Sequence, residues 1–255
     1  MYQRELTVLP SEASCRGHIK LHSLLNALQD TAGLAAAGFE GTTSELLARG
    51  YAWVLTRYEI ELMGPMPMLD ERFVVGTFHD PDHGYGTLRV FQVNRPDGTP
   101  LAWAKTSWLL LDLAAGRPVR PMTHLPEIAR CDTRSIDPDF RDIPSFPPDA
   151  EVREVPCPIR FHDLDGNAHV NNAAYFEWVF EATPLDLMAW DVRSISASFR
   201  SGARWGEDLR IRIVEMPDHG GRRTFLYHVV DATRTEGGRA EKPMTAFMCS
   251  WEARS

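Results

Sequence analysis

The chain has 255 residues, 44% hydrophobic and 24% charged, an ordinary globular composition with length for one large or two small domains. Its net charge of −8 argues against nucleic acid as a general partner, and its basic residues are almost all arginine, with lysine only at Lys20, Lys105 and Lys242. No apolar run approaches the ~20 residues that span a bilayer, and Met1-Tyr2-Gln3-Arg4-Glu5 is not an apolar signal region, so the reading predicts a soluble cytoplasmic protein with no membrane partner.

In chain order, Leu21, Leu24, Leu25 and Leu28 fall at i, i+3, i+4 and i+7, and Ala32, Ala35 and Ala36 continue that face. The spacing predicts a helix with one apolar stripe, ending near Gly38. Strand-like runs follow at Ala52 to Leu62, Arg72 to His79, Thr87 to Asn94 and Leu101 to Asp112, with Arg95-Pro96-Asp97-Gly98-Thr99 as the turn between the last two. From Pro121 to Pro156 the chain is Pro-rich and polar without a sustained period, which reads as a linker crossing the surface. A second helix follows from Tyr175, Trp178, Val179 and Ala182 at the same spacing, stopped by Pro184. Strand-like runs then recur at Ile195 to Arg200, Leu209 to Glu215, Thr224 to Ala232 and Met244 to Glu252, with the loop Thr235-Glu236-Gly237-Gly238-Arg239 in the matching turn position. The chain thus reads twice, as an α+β protein of two similar halves: 1–125, a linker 126–154, and 155–255.

The cysteines Cys15, Cys131, Cys157 and Cys249 are scattered, with no CxxC pair, and the nine histidines form no HExxH or comparable set. The pattern predicts reduced thiols, no metal and no cofactor.

The densest chemistry lies in Asp163-Leu164-Asp165-Gly166-Asn167-Ala168-His169-Val170-Asn171-Asn172, followed by Tyr175 and Trp178. Asp165, Asn167 and His169 place a carboxylate, a carboxamide and an imidazole within five residues. An extended strand, a glycine-containing turn and a following helix would hold all three at one helix N-terminus. Unpaired N–H groups and a positive dipole there suit polarising a carbonyl and delivering water to it. Asp and Asn before a helix commonly act as caps, but a cap needs one side chain and this run supplies at least four polar ones. Asn171 and Asn172 read as caps and turn formers, and His162 as a surface residue. Gln29 and Asp30, polar on an otherwise apolar helix, join Trp53, Tyr175 and Trp178 as candidate substrate-binding residues; the tryptophans also suit core or tunnel wall.

These residues resemble the acyl-acyl-carrier-protein thioesterases, plant and bacterial fatty-acyl hydrolases with a double-hotdog fold. In the second half the resemblance rests on the Asp163–Asn172 run with Tyr175, Trp178 and Glu181. In the first half it rests on Leu24-Leu25-Asn26-Ala27-Leu28-Gln29-Asp30-Thr31-Ala32, Gly50 to Arg57, Trp108 to Asp112 and Arg117-Pro118-Val119-Arg120. It implies that each half is a helix on an antiparallel sheet, that the halves join into one sheet as two subunits of a hotdog dimer do, and that a homodimer of the whole chain can form. It implies hydrolysis of a fatty acyl thioester, with Asp165, Asn167 and His169 catalytic and the first half forming the acyl tunnel. The first helix entry, Cys15-Arg16-Gly17-His18-Ile19, has no Asp-x-Asn before its histidine, which fits that division.

One departure stands out. The family has a further carboxylate or cysteine about 35 residues after the motif histidine, and this chain has Gly202-Ala203-Arg204 there, with Glu207 and Asp208 at the start of the next strand. Related single-hotdog acyl-CoA thioesterases work with the motif aspartate as their main carboxylate, which would leave Asp165 sufficient. A thiolate is a good leaving group (thiol pKa ~8.5), so no nucleophile elbow is needed, and G-x-S-x-G is absent. The base is Asp165 or His169. Acyl-carrier-protein and coenzyme A thioesters both remain as substrates, since arginines at 193, 200, 204 and 222–223 suit either carrier; a non-catalytic acyl-binding hotdog is the alternative of a different class.

Overall fold

The computed structural model describes residues 1–38, 41–130, 136–217, 220–233 and 242–254. The expected turn Thr235–Arg239 and Cys131 lie outside them. The chain divides into two units, Met1–Phe140 and Arg141–Ser255.

The first unit contains β1 (Tyr2–Thr7), α1 (Leu21–Ala37), α2 (Thr43–Ala48), β2 (Tyr51–Leu62), β3 (Arg72–His83), β4 (Gly86–Asn94), β5 (Pro100–Asp112), β6 (Arg117–Val119) and α3 (Pro121–His124). The strands run antiparallel in the order β1-β3-β4-β5-β2, with β6 paired to the end of β5. The stripe on α1 buries Leu24, Leu25, Leu28 and Thr31 and packs over β3 and β1. The β4–β5 turn closes where Pro96-Asp97-Gly98 predicts, with Gly98 at φ 90° and Arg95 N–H donating to the Thr99 carbonyl at 2.8 Å. Part of the Pro-rich segment is built into this unit. Ile128 is buried with Leu46, Leu110 and Leu125, and Ile136 with Leu88 and Val90. Lys105, almost fully buried on β5, donates Nζ to the carbonyls of Asp137 and Asp139 and lies 4.6 Å from the Phe140 ring centroid. A buried ammonium needs such acceptors, and here they tie the segment to the sheet.

The second unit contains β7 (Arg153–Cys157), α4 (Asn172–Glu181), β8 (Trp190–Phe199), β9 (Leu209–Glu215), β10 (Arg222–Asp231) and β11 (Thr245–Ala253). The antiparallel order is β8-β11-β10-β9-β7. Aromatic side chains weld α4 to this sheet: Phe176 meets Phe247 edge-on at 5.0 Å, Tyr175 meets Phe199 at 5.7 Å and Phe180 meets Trp251 at 5.1 Å. The helix stops before Pro184. Its end is tied down by Arg153, which donates to the Ala182 carbonyl, and by Thr183 Oγ1, which is 2.9 Å from Tyr227 Oη.

The repeat seen in the sequence is a repeat of topology. In each unit a leading strand pairs with the second strand after the helix, three strands meander, and the first strand after the helix pairs with the last of the meander. The protein is therefore an α+β double hotdog, two helix-on-antiparallel-sheet units in one chain.

Candidate active site

The motif folds as a miniature hairpin. Leu164 and Val170 face each other in an antiparallel bridge. Asp165 N–H donates to the His169 carbonyl at 2.7 Å, and Ala168 N–H donates to the Asp165 carbonyl at 3.1 Å. The Asp165 carboxylate holds the loop from inside, Oδ1 accepting the N–H of Asn167 at 2.8 Å and of His169 at 3.2 Å. The left-handed residue of the turn is Ala168, at φ 57°, rather than Gly166. A non-glycine residue there costs roughly 1–2 kcal/mol.

This corrects the expected placement at a helix N-terminus. The loop is entered from a 3-10 turn, Phe161–Asp163, not a strand, because Asp163 Oδ2 folds back on the Arg160 N–H at 2.6 Å. Helix α4 is capped by Asn171, whose Oδ1 accepts the Ala173 N–H at 2.9 Å and whose carbonyl accepts the Ala174 N–H at 3.0 Å. The motif side chains stand on the loop ahead of the helix, and the helix-end N–H groups of Ala173 and Ala174 are taken up by Asn171.

What the loop leaves open is specific. From Asp165 to Asn171 every backbone N–H except that of Gly166 donates a hydrogen bond among the described residues. Asp165 Oδ2, the Asn167 carboxamide and His169 Nδ1 also have no partner among the described residues. One acceptor, one amide, one ring nitrogen and one backbone donor therefore remain available to a ligand. Asn167 is exposed, and Asp165 and His169 are half-buried.

The first unit carries the same turn without this chemistry. Ala13 and Ile19 form the bridge, Ser14 N–H donates to the His18 carbonyl at 2.8 Å, and Gly17 N–H donates to the Ser14 carbonyl at 2.9 Å. Ser14 Oγ accepts the Arg16 N–H at 3.3 Å, as Asp165 Oδ1 accepts that of Asn167. Gly17, at φ 79°, stands where Ala168 stands. A serine thus suffices to hold the turn. The carboxylate and carboxamide of the second copy exceed what the fold requires.

The loop 200–207 walls the motif. Val170 N–H donates to the Ala203 carbonyl at 2.9 Å, and Ala203 N–H donates to Tyr175 Oη at 2.8 Å. Burial pushes the Tyr175 phenol up to about 12, so it stays neutral, a support rather than a proton donor in the chemistry. Gly202 lies against the imidazole: a Cβ there would sit 3.3 Å from His169 Cδ2. Arg204 pairs with His169 in a backbone bridge and donates Nε–H to His169 Nε2 at 3.1 Å. Glu207 Oε2 accepts the Arg204 N–H at 3.0 Å, and Asp208 pairs with Arg210 at 3.1 Å. Where the family resemblance implies a further acid, the loop presents a guanidinium to the ring.

The remaining candidates are placed as follows. Trp178 is buried on α4 beside Tyr175, their rings 5.1 Å apart. In the first unit Gln29 is half-buried and Asp30 exposed on α1, while Trp53 on β2 packs against the cluster of Leu46, Leu110, Leu125 and Ile128. Burial, with Asp163 adding, pushes the Cys157 thiol up to about 12, and burial also raises that of Cys249. Neither is a thiolate nucleophile at neutral pH. Among the described residues no group of three or more His, Cys, Asp or Glu side chains is placed to hold a metal ion, and no helix is long and apolar enough to cross a membrane. Two features escaped the sequence reading, the open Gly166 N–H and the imidazole–guanidinium contact. The first had a signal in the Asp-Gly pair, and the second had none in local sequence.

A double hotdog whose second unit carries an Asp-x-Asn-x-His turn defines the class. Family comparison makes it definite: residues 1–128 match the acyl-ACP thioesterase N-terminal domain and residues 147–247 the C-terminal domain, so the chain belongs to the acyl-ACP thioesterase family. It is 23% identical to the palmitoyl-acyl carrier protein thioesterase of Cuphea hookeriana over 97% of this chain, and spans 62% of that relative's length. Its fold matches a 12:0-ACP thioesterase from Umbellularia californica with a TM-score of 0.83 at 20% identity, covering 99% of this chain and 94% of the other. It also matches an acyl-ACP thioesterase from Bacteroides thetaiotaomicron with a TM-score of 0.77 at 19% identity, covering 98% and 97%.

Proposed function

We propose that the chain hydrolyses fatty acyl thioesters carried on acyl carrier protein, releasing the free fatty acid and the carrier thiol. The observation that carries the reading is the difference between the two copies of the turn. Ser14 holds the first, whereas Asp165 holds the second and keeps Oδ2 free of protein donors among the described residues. In a family of acyl-ACP thioesterases, that surplus carboxylate is the group for the chemistry.

In this mechanism water attacks the thioester carbonyl carbon while Asp165 takes its proton, or Asp165 attacks directly and water then cleaves the anhydride. The carbonyl electron pair moves onto oxygen, where the Gly166 N–H is the donor free to receive it. Collapse of that intermediate expels the thiolate, which takes up the proton. Asn167, exposed beside it, orients water or the carbonyl oxygen.

The test is a parallel assay of the purified protein on acyl-ACP and acyl-CoA panels from medium to long chains. Faster turnover of acyl-ACP, lost in Asp165→Asn, is the expected result. Preference for acyl-CoA would overturn the carrier assignment. Tight acyl binding without turnover on either panel would overturn the hydrolase assignment.

A further inference from the structure

We propose that Arg204 is a positioning residue that locks the motif imidazole in its neutral, Nδ1-protonated form, so that His169 serves as a hydrogen-bond donor and the role of base falls to Asp165. The tautomer follows from donor chemistry, and the role given to it rests on the proposed hydrolysis. A guanidinium has five N–H donors and no acceptor. The 3.1 Å contact from Arg204 Nε to His169 Nε2 therefore requires a lone pair on Nε2. A ring with a bare Nε2 carries its proton on Nδ1.

The contact is held from several sides. His169 and Arg204 pair through a backbone bridge. Glu207 fixes the Arg204 N–H, and Ala203, next in the chain, is anchored by Val170 N–H and by the buried Tyr175 hydroxyl. Gly202 leaves the ring the space it occupies, since a Cβ there would stand 3.3 Å from His169 Cδ2. With Nε2 covered, only Nδ1–H is left to act, and it has no acceptor among the described residues.

The first unit shows the contrast. There His18 Nδ1 lies 2.8 Å from the Met66 carbonyl, and the backbone partner of His18 is Met68. A carbonyl only accepts, so His18 also carries its proton on Nδ1, but that N–H is consumed by the fold. The second unit reaches the same tautomer from the opposite side of the ring and leaves the N–H open.

The test is 15N NMR of the protein with labelled histidine, the His169 signals assigned by their loss in His169→Asn. Wild type should show Nδ1 protonated and Nε2 bare, and Arg204→Ala should shift the population toward the Nε2-protonated tautomer. On an acyl thioester, Arg204→Ala should lose roughly tenfold in kcat with KM changed less than about twofold, and millimolar guanidinium should restore part of it. A wild-type ring protonated on Nε2, or an unchanged tautomer in Arg204→Ala, would overturn the proposal. The tautomer is read without turnover, so inactivity on every thioester would sink the hydrolase reading while leaving this result standing.

Discussion

Asp165 has two separable jobs, and the structure says how to separate them. Oδ1 accepts two backbone N–H groups within the turn, while Oδ2 is free among the described residues. Asp165→Ala removes both hydrogen bonds, at about 1 kcal/mol each, so the loss of stability should be about 1–2 kcal/mol. For a chain of this size that is roughly 2–8 °C in Tm. Asp165→Asn keeps an acceptor at Oδ1 and removes only the charge. Asp165→Ser copies Ser14, which holds the first-unit turn through one contact at 3.3 Å. Both should melt within a few degrees of wild type, above Asp165→Ala. All three should lose the same ~10²–10⁴ in kcat, because each lacks the carboxylate. The assay pairs thermal unfolding with kcat on one acyl-ACP substrate. If Asp165→Asn or Asp165→Ser kept more than about a third of wild-type kcat, the carboxylate would be a turn former only and the mechanism built on Oδ2 would fail.

Gly202→Ala places a Cβ 3.3 Å from His169 Cδ2 at a backbone conformation open to any residue, so kcat should fall about 3–10-fold with little change in Tm, and Gly202→Val should fall further; full activity in the valine variant would show that the ring's position is immaterial. Iodoacetamide at pH 8 should label the exposed Cys15 and spare Cys157 and Cys249, whose thiols burial holds protonated, with activity retained; inactivation that tracks labelling of Cys157 would contradict this. Burial, with nearby arginines adding, depresses His79 to about 3 and His228 to about 4, while unfolded histidines titrate near ~6.5. Between about pH 6.5 and 3 the unfolded state binds more protons, so stability present above that window is lost as pH falls through it. Urea midpoints should drop across the window, and less so with both histidines replaced by phenylalanine. An equal drop in that variant would assign the acid sensitivity elsewhere.

Much of this protein could be read from its residues. The period-3.6 stripe of Leu24, Leu25 and Leu28 became the buried face of α1, and the eight long apolar runs became β2 to β5 and β8 to β11. The strands that escaped are the leading ones, β1 and β7, and the three-residue β6. β1 shows mostly exposed side chains, and β7 carries Pro156, which reads as linker. Both sit on sheet edges, where polar residues and proline are tolerated because one row of backbone groups needs no partner. Helix α2 is short, but the capping box Thr42–Glu45 was a signal for it in the sequence.

For the site, the residue types and spacing of Asp165, Asn167 and His169 were legible, as was Asn171 as a cap. The placement was not, because which residue caps a helix depends on where the chain bends. Here the bend falls at Ala168, a residue no local rule would put at φ 57°. The least legible feature is the partner of the imidazole. Arg204 lies 35 positions from His169 and reaches it because the loop after β8 docks on Val170 and Tyr175. Periodicity and side-chain chemistry are local properties, so the repeated helix-and-strand plan and the chemical groups of the motif were legible along the chain. Only tertiary packing decided that the histidine meets a guanidinium, because that contact is made between segments whose separation in the chain says nothing about their distance in space.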